Sequence, residues 1–298
     1  MTLFHHSYTF FNPRLRAYSL PTGWDEFSGD IEDVISMPLV NQPGTRYEYG
    51  VNIDWAGIAV ERITSSSLND YFQKNIFSPL GIKNISFVPT QHMRENLVTL
   101  VQHTADGSFD DTDQLCRRAV WHSAQCTEAK AAGVQAPPIF HAGGAGLFAT
   151  PADYSLILST LLNDGVSPHT GARLLEKKTV DEMFTNQIPH FPDFARQGIQ
   201  TARPWLTPNV PEFFPQAGNP PQGWGLTFML TLEACETGRG AGSANWAGII
   251  NCFWWCDREK GVAGFIGGQV LPFGNLDVMG AWLTCEKAVY DGLESGKK

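Results

Sequence analysis

The stretch Arg46-Tyr47-Glu48-Tyr49-Gly50-Val51-Asn52-Ile53-Asp54-Trp55-Ala56-Gly57 decides how this chain is read. It follows Pro43-Gly44, a turn-forming pair. Behind it, Ile53, Ala56, Val60 and Ile63 recur with a period of roughly 3.6 residues, which predicts a helix over 53–64. Tyr49 therefore stands immediately before a helix. A second stretch, Gly242-Ser243-Ala244-Asn245-Trp246-Ala247-Gly248, leads into the apolar run Ile249-Ile250-Asn251-Cys252-Phe253-Trp254-Trp255. That run predicts a strand over 249–257, with Trp246-Ala247-Gly248 just ahead of it.

Outward from these stretches, the order of elements suggests α+β. Leu68 to Phe77 reads as a second helix, closed by Ser78-Pro79-Leu80-Gly81. Residues 86–142 are polar and read as loop-rich. Thr150 is a suitable N-cap and Pro151 suits the first helical position, so a helix runs from 151 to about 163 and stops at Asp164-Gly165. Leu175 to Asn186 reads as another helix. Residues 187–222 hold eight prolines and form a long irregular connection. After that come predicted strands at 224–232, 249–257 and 262–270, with Arg258-Glu259-Lys260-Gly261 as a hairpin turn. Leu276 to Leu293 closes the chain as an amphipathic helix. Residues 1–222 are thus mainly helix and loop, and 223–298 are antiparallel strands with a closing helix, all within a single domain spanning 1–298.

Composition excludes several classes of function. The 298 residues are 43% hydrophobic and 17% charged, with a formal net charge of −9 and no block of like charges. Nucleic acid needs a basic face, and an anionic membrane surface attracts basic residues, so neither partner fits. Neither a signal-peptide layout nor a transmembrane run is present, and a soluble cytoplasmic protein is expected. The six cysteines lack C-x-x-C spacing and read as free thiols. Cys252 and Cys256 would share one face of a strand. The histidines show no ligand pattern, so no metal and no cofactor are expected.

Two residue groups remain as candidates for chemistry. A phenol titrates near 10 in model peptides, so Tyr49 needs a nearby ammonium to act as a base. Its alternative is a buried tyrosine with a bonded hydroxyl. Gly248 lets backbone approach a substrate closely, and the Ile249 amide would then serve as one donor of an oxyanion hole. The alternative there is a strand-initiating turn with a core tryptophan. Trp224, Trp246, Trp254 and Trp255 could line an apolar pocket or simply fill a core. Gly143-Gly144-Ala145-Gly146-Leu147 lacks the ending of a P-loop and reads as structural. Glu48, Asp54 and Asp153 suit a turn, a helix start and a first-turn charge. Ser243, within the second stretch, is the serine nearest the predicted site, with no paired base.

Together the two stretches resemble the serine β-lactamase and penicillin-binding-protein superfamily. The likeness is to its esterase and acyltransferase branch, which includes the fungal acyltransferase of the lovastatin side chain. Tyr49, Asp54 and Gly57 fit that family's Y-x-x-x-x-D-x-x-G pattern. Gly143 to Leu147 and Gln269-Val270-Leu271-Pro272-Phe273 match two further family segments. The resemblance implies a β-lactamase/transpeptidase-like fold, an antiparallel sheet flanked by helices plus a helical region. It also implies acyl transfer through an acyl-serine, from an ester or thioester to an alcohol or water, plausibly in fungal secondary metabolism. Tyr49 would be the base, and Trp246, Ala247, Gly248 and Ile249 the substrate wall. The partners would be a small-molecule acyl substrate and an acyl-carrier domain or thioester donor. Trp246 stands where penicillin-binding relatives carry the lysine of Lys-Thr-Gly, which disfavours β-lactam recognition.

The sequence departs from the family at its front. The nucleophile motif Ser-x-x-Lys does not precede Tyr49; its one occurrence is Ser295-Gly296-Lys297-Lys298. Leu3-Phe4-His5-His6 stands where the family has H-T-[SA]-G. The expectation is an N-terminally truncated domain with an unpaired sheet edge, and either poor solubility or a partner that supplies the missing layer. The competing expectation for function is a non-catalytic relative that binds a ligand or a partner.

Overall fold

A computed structural model of the protein describes residues 7–134, 138–196, 200–209 and 216–296. Leu3 to His6, Lys297 and Lys298 lie outside the described residues. The chain forms two compact units, one of residues 2–100 and 111–153, the other of residues 101–110 and 154–298. The helices are α1 (Pro13–Ser19), α2 (Glu32–Ile35), α3 (Asn52–Thr64), α4 (Leu68–Phe72), α5 (Ser78–Leu80), α6 (Gln91–Glu95), α7 (Arg117–Ala132), α8 (Pro151–Leu162), α9 (Lys177–Met183) and α10 (Leu276–Ser295). The strands are β1 (Ile85–Ser86), β2 (Leu100–His103), β3 (Phe109–Thr112), β4 (Phe148–Ala149), β5 (Gln222–Trp224), β6 (Met229–Thr231), β7 (Ser243–Gly248), β8 (Cys252–Asp257), β9 (Val262–Gly267) and β10 (Val270–Leu271). This mixture of antiparallel sheets and helices is the α+β class that the sequence suggests.

In the first unit, α3 appears where the apolar period predicts it, but its buried face differs. Asp54, Gly57 and Ile58 are buried, whereas Ile53 is 41% and Ile63 84% exposed. The reason is close packing on Gly57, where a Cβ would come within 2.9 Å of the Leu68 side chain. That contact turns the helix so that a glycine and a carboxylate face inward. Leu68 then begins α4, capped by the Ser67 hydroxyl, and a π-helical turn Gln73–Phe77 leads into α5. The stop is at Gly81, left-handed with φ 72°. The region expected to be loop-rich contains α7, a 16-residue helix. Its sequence, Arg117-Arg118-Ala119-Val120-Trp121-His122 onward, shows no clear apolar period to betray it.

In the second unit, the sheet runs β5-β6-β7-β8-β9, antiparallel throughout. Three expected strand limits are corrected here. Residues 224–232 are not one strand: the chain reverses between β5 and β6, where Thr227 has φ 81° and the Gly225 amide bonds the Phe228 carbonyl at 2.8 Å. A Cβ on Gly225 would lie 2.1 Å from the Met183 carbonyl oxygen, so the turn requires glycine. Residues 249–251 are likewise not strand but the turn between β7 and β8. Val262 to Val270 divides into β9 and β10, because β10 leaves the sheet and pairs in parallel with β2. Leu175 to Asn186 shortens to α9, whereas α10 covers the predicted closing helix.

Strand alternation gives the sheet two faces. On one, Ala244 and Cys256 pack with Phe228, Leu230, Leu158 and Leu161. On the other, Phe253 and Trp255 pack with Trp282 and Tyr290 of α10. The Phe253 and Trp282 rings stack at 4.6 Å. Cys252 and Cys256 do share a face of β8, and burial raises both thiols above their ordinary range. A polar latch closes the far end of β7. Asp257, fully buried, accepts from the Gly240 amide (2.8 Å), the Lys260 amide (2.9 Å) and the Tyr290 hydroxyl (3.0 Å). Beside it, buried Glu286 accepts from the Thr237 hydroxyl at 2.5 Å and pairs with Arg239 at 3.3 Å.

Candidate functional site

Tyr49 is delivered to its place by a short, well-tied segment. The Pro43-Gly44 turn has Gly44 at φ 81°. Glu48 accepts from Asn41 at 2.7 Å and pairs with Arg46 at 3.6 Å, which is the turn role expected of it. Tyr49 is half-buried, and its carbonyl accepts from the Ser7 hydroxyl at 3.4 Å. Its ring stands edge-on to Tyr8 at 5.2 Å and tilted to Phe11 at 5.9 Å. Behind it, Val51 is buried at the N-cap of α3.

The first turn of that helix carries a group that the sequence reading placed only as a helix-start charge. Asp54 is buried, and its Oδ1 accepts the Gly144 amide at 3.0 Å. Burial pushes its carboxyl up to about 6, against the pull of the backbone bonds. Gly143 to Gly146 thus forms a turn pressed onto α3, the structural role expected for it. Tyr8, which sequence reasoning missed, lies in the same cluster. Burial first, and then Tyr49, pushes its phenol well above the usual range; Tyr47 is raised for the same two reasons. Asp153 accepts the Asn84 amide at 2.8 Å and caps nothing catalytic.

Trp246, Ala247 and Gly248 occupy the end of β7 rather than a position ahead of a strand, and Ile249 begins the turn that follows. All four are partly exposed. The Trp246 ring meets Trp224 edge-on at 4.5 Å, and Trp246 is paired across the ladder with Trp254. A Cβ on Gly248 would meet Cys252 at 3.6 Å, an ordinary contact. Internal packing therefore does not demand glycine there. The four expected pocket tryptophans separate: Trp255 is core beneath α10, whereas Trp224, Trp246 and Trp254 lie away from it. Ser243 is 1% exposed and donates to the Gly240 carbonyl at 2.8 Å, so it is a structural serine.

The turn after Gly248 is held by a residue that sequence reasoning passed over. Asn251, fully buried at φ 59°, donates to the carbonyls of Val270 (2.8 Å) and Pro272 (2.9 Å). Its Oδ1 accepts the amides of Gly274 (2.8 Å) and Asn275 (3.0 Å). All its side-chain capacity ties the turn to β10 and the start of α10. An asparagine inside an apolar run, tolerant of positive φ, was the available signal. Among the described residues, no group of three or more His, Cys, Asp or Glu is arranged to hold a metal ion, and no helix is long and apolar enough to cross a membrane.

Comparison with known proteins adds a second line of observation. The β-lactamase family model matches residues 21–267. A lovastatin esterase of Penicillium rubens is 32% identical over 249 residues, 81% of this chain and 55% of that protein. A monacolin J acid methylbutanoyltransferase of Aspergillus terreus is 28% identical over 300 residues, 97% of this chain and 65% of that protein. Among solved structures, a mutant simvastatin synthase from Aspergillus terreus superposes with a TM-score of 0.73 at 25% identity, over 99% of this chain and 64% of that one. The chain thus spans roughly half to two thirds of the length of these relatives.

Proposed function

This chain belongs to the β-lactamase family, in the branch of the fungal lovastatin-type acyltransferases and esterases, and from that premise we propose that it serves acyl transfer. The acyl group passes from an ester or thioester to an alcohol or water by way of an acyl-serine. Tyr49 takes the proton from the attacking hydroxyl. The backbone from Trp246 to Ile249 forms one wall of the acyl site, with the Ile249 amide as a donor to the developing oxyanion. The single observation that carries this is the pairing of a family match over residues 21–267 with Gly248, a glycine that packing inside the protein does not require.

No Ser-x-x-Lys stands ahead of Tyr49 in the 298 residues, so the roles assigned here are those of Tyr49 and of the backbone from Trp246 to Ile249. We read residues 1–298 as one functional domain acting on a small acyl substrate, with a thioester donor or acyl-carrier domain as partner. The names of the esterase and methylbutanoyltransferase relatives support a place in secondary metabolism. Cys116, Cys235, Cys252, Cys256 and Cys285 are unpaired, which suits a reducing, cytoplasmic setting.

The test is turnover of p-nitrophenyl butyrate by the protein expressed from its natural transcript. Measurable hydrolysis that falls by at least about 100-fold in Tyr49→Phe supports base catalysis by this phenol. Hydrolysis that the substitution leaves unchanged overturns the role of Tyr49. Absence of hydrolysis and of serine labelling by a fluorophosphonate favours a non-catalytic, ligand-binding relative.

A further inference from the structure

One carboxylate joins the helix behind Tyr49 to a glycine turn far away in sequence. The Gly144 amide reaches Asp54 at 3.0 Å across 90 residues of chain. The approach is so close that side chains are excluded. A Cβ on Gly144 would lie 2.9 Å from Asp54 Oδ2 and 3.3 Å from the Tyr8 hydroxyl oxygen, and one on Gly143 would lie 3.0 Å from the Ile53 carbonyl oxygen. Tyr8 in turn carries the edge-on contact with Tyr49 at 5.2 Å. Gly144 therefore lies beside both Asp54 and Tyr8, and Tyr8 carries the contact with the candidate base.

Among the ionisable groups near Asp54, Glu26 opposes its charge. It raises the pKa further, and is itself engaged with the Thr9 amide (2.8 Å) and hydroxyl (2.6 Å). Tyr8 and Cys116 are each pushed up in part by Asp54, Cys116 to about 12. The backbone amides of Gly144 and of Asp54 itself favour the ionised carboxylate, Gly144 the more strongly. Such charge-assisted bonds are stronger than neutral ones, and protonation weakens them.

We propose that Asp54 is a positioning residue for Tyr49: its carboxylate clamps the Gly143–Gly146 turn to the first turn of α3, and protonation of that carboxylate loosens the clamp. The clamp stands on geometry; its consequence for catalysis rests on the role assigned to Tyr49 above. Because burial brings the carboxyl to about 6, the change falls just below neutral pH.

The experiment is a pH titration followed by NMR on the whole chain, with the Gly144 amide proton and the Tyr49 ring signals as probes. In the wild type both move with a midpoint near 6, and in Asp54→Asn, which keeps the acceptor oxygen but cannot ionise, neither does. In parallel, for the protein expressed from its natural transcript, kcat for p-nitrophenyl butyrate loses its acid limb near 6 in Asp54→Asn, with KM changed by less than about twofold. A Gly144 amide that does not titrate between about pH 5 and 7.5, or that titrates equally in Asp54→Asn, overturns the clamp. A Gly144 amide that titrates while the Tyr49 ring stays still overturns the positioning of Tyr49. If the wild type hydrolyses no ester, the acyl-transfer reading fails while the two NMR probes still decide the clamp.

Discussion

The two units bury carboxylates in opposite ways. In the unit holding the sheet, Asp257 is met by two backbone amides and a tyrosine hydroxyl, and Glu286 by a threonine and an arginine. In the other, Asp54 is desolvated by burial, faces the charge of Glu26 and has only backbone amides to offset them. A compensated carboxylate such as Asp257 makes a fixed latch, because both of its oxygens have donors. An under-compensated one becomes a titrating group, because desolvation is not repaid. The contrast separates a device for stability from a device that responds to its surroundings, although both are buried acids tied to backbone.

The largest expected effect tests the latch. Asp257→Ala leaves three donors without acceptors in a buried place, and should cost about 3–5 kcal/mol in urea unfolding. A cost below about 1 kcal/mol would dissolve the distinction between latch and clamp. Next, Gly264→Ala drives a Cβ to within 2.1 Å of the Trp255 ring, on the face packed beneath α10. Overpacking of this kind costs about 1–3 kcal/mol, read as a lowered denaturation midpoint.

The clamp predicts a smaller effect of definite sign. The folded pKa of Asp54 lies above its ordinary value, so the native state binds more protons than the unfolded one between about 4 and 6. Stability from this group therefore rises as pH falls, by about 1.4 kcal/mol between pH 7.5 and 5. Asp164 and Asp181 are held low by Arg258 and Lys177 and pull the other way, so the quantity to measure is the wild-type slope minus that of Asp54→Asn. A difference of zero would return Asp54 to the compensated class. The smallest effect is common to any well-capped helix: Thr150→Ala removes the acceptor of the Asp153 amide (3.1 Å) and should cost about 1 kcal/mol by thermal melting.

What could be read from the chain itself follows the same division. The apolar and aromatic run around Phe253-Trp254-Trp255, the Arg258–Gly261 turn and the Thr150-Pro151 cap are local signals, and they gave the β8–β9 hairpin and α8. The strand ends failed where a long-range contact decides them. Gly225 turns against the Met183 carbonyl, and Asn251 ends β7 by bonding β10 and the start of α10. The face of α3 failed for a related reason: apolar period pointed to Ile53 and Ile63, but the partner is a glycine turn that selects Gly57 and Asp54. Tyr49 and Trp246–Ile249 were legible as motifs. Tyr8, Asp54 as a buried acid and Asn251 were not, since each depends on residues that are distant in sequence.

The acyl-transfer account meets its most direct test in fluorophosphonate labelling of the protein expressed from its natural transcript, followed by mass spectrometry. The account predicts stoichiometric labelling of one serine, slowed at least about 100-fold by Tyr49→Phe. Labelling at the same rate in wild type and Tyr49→Phe, or no labelled serine at all, would contradict it.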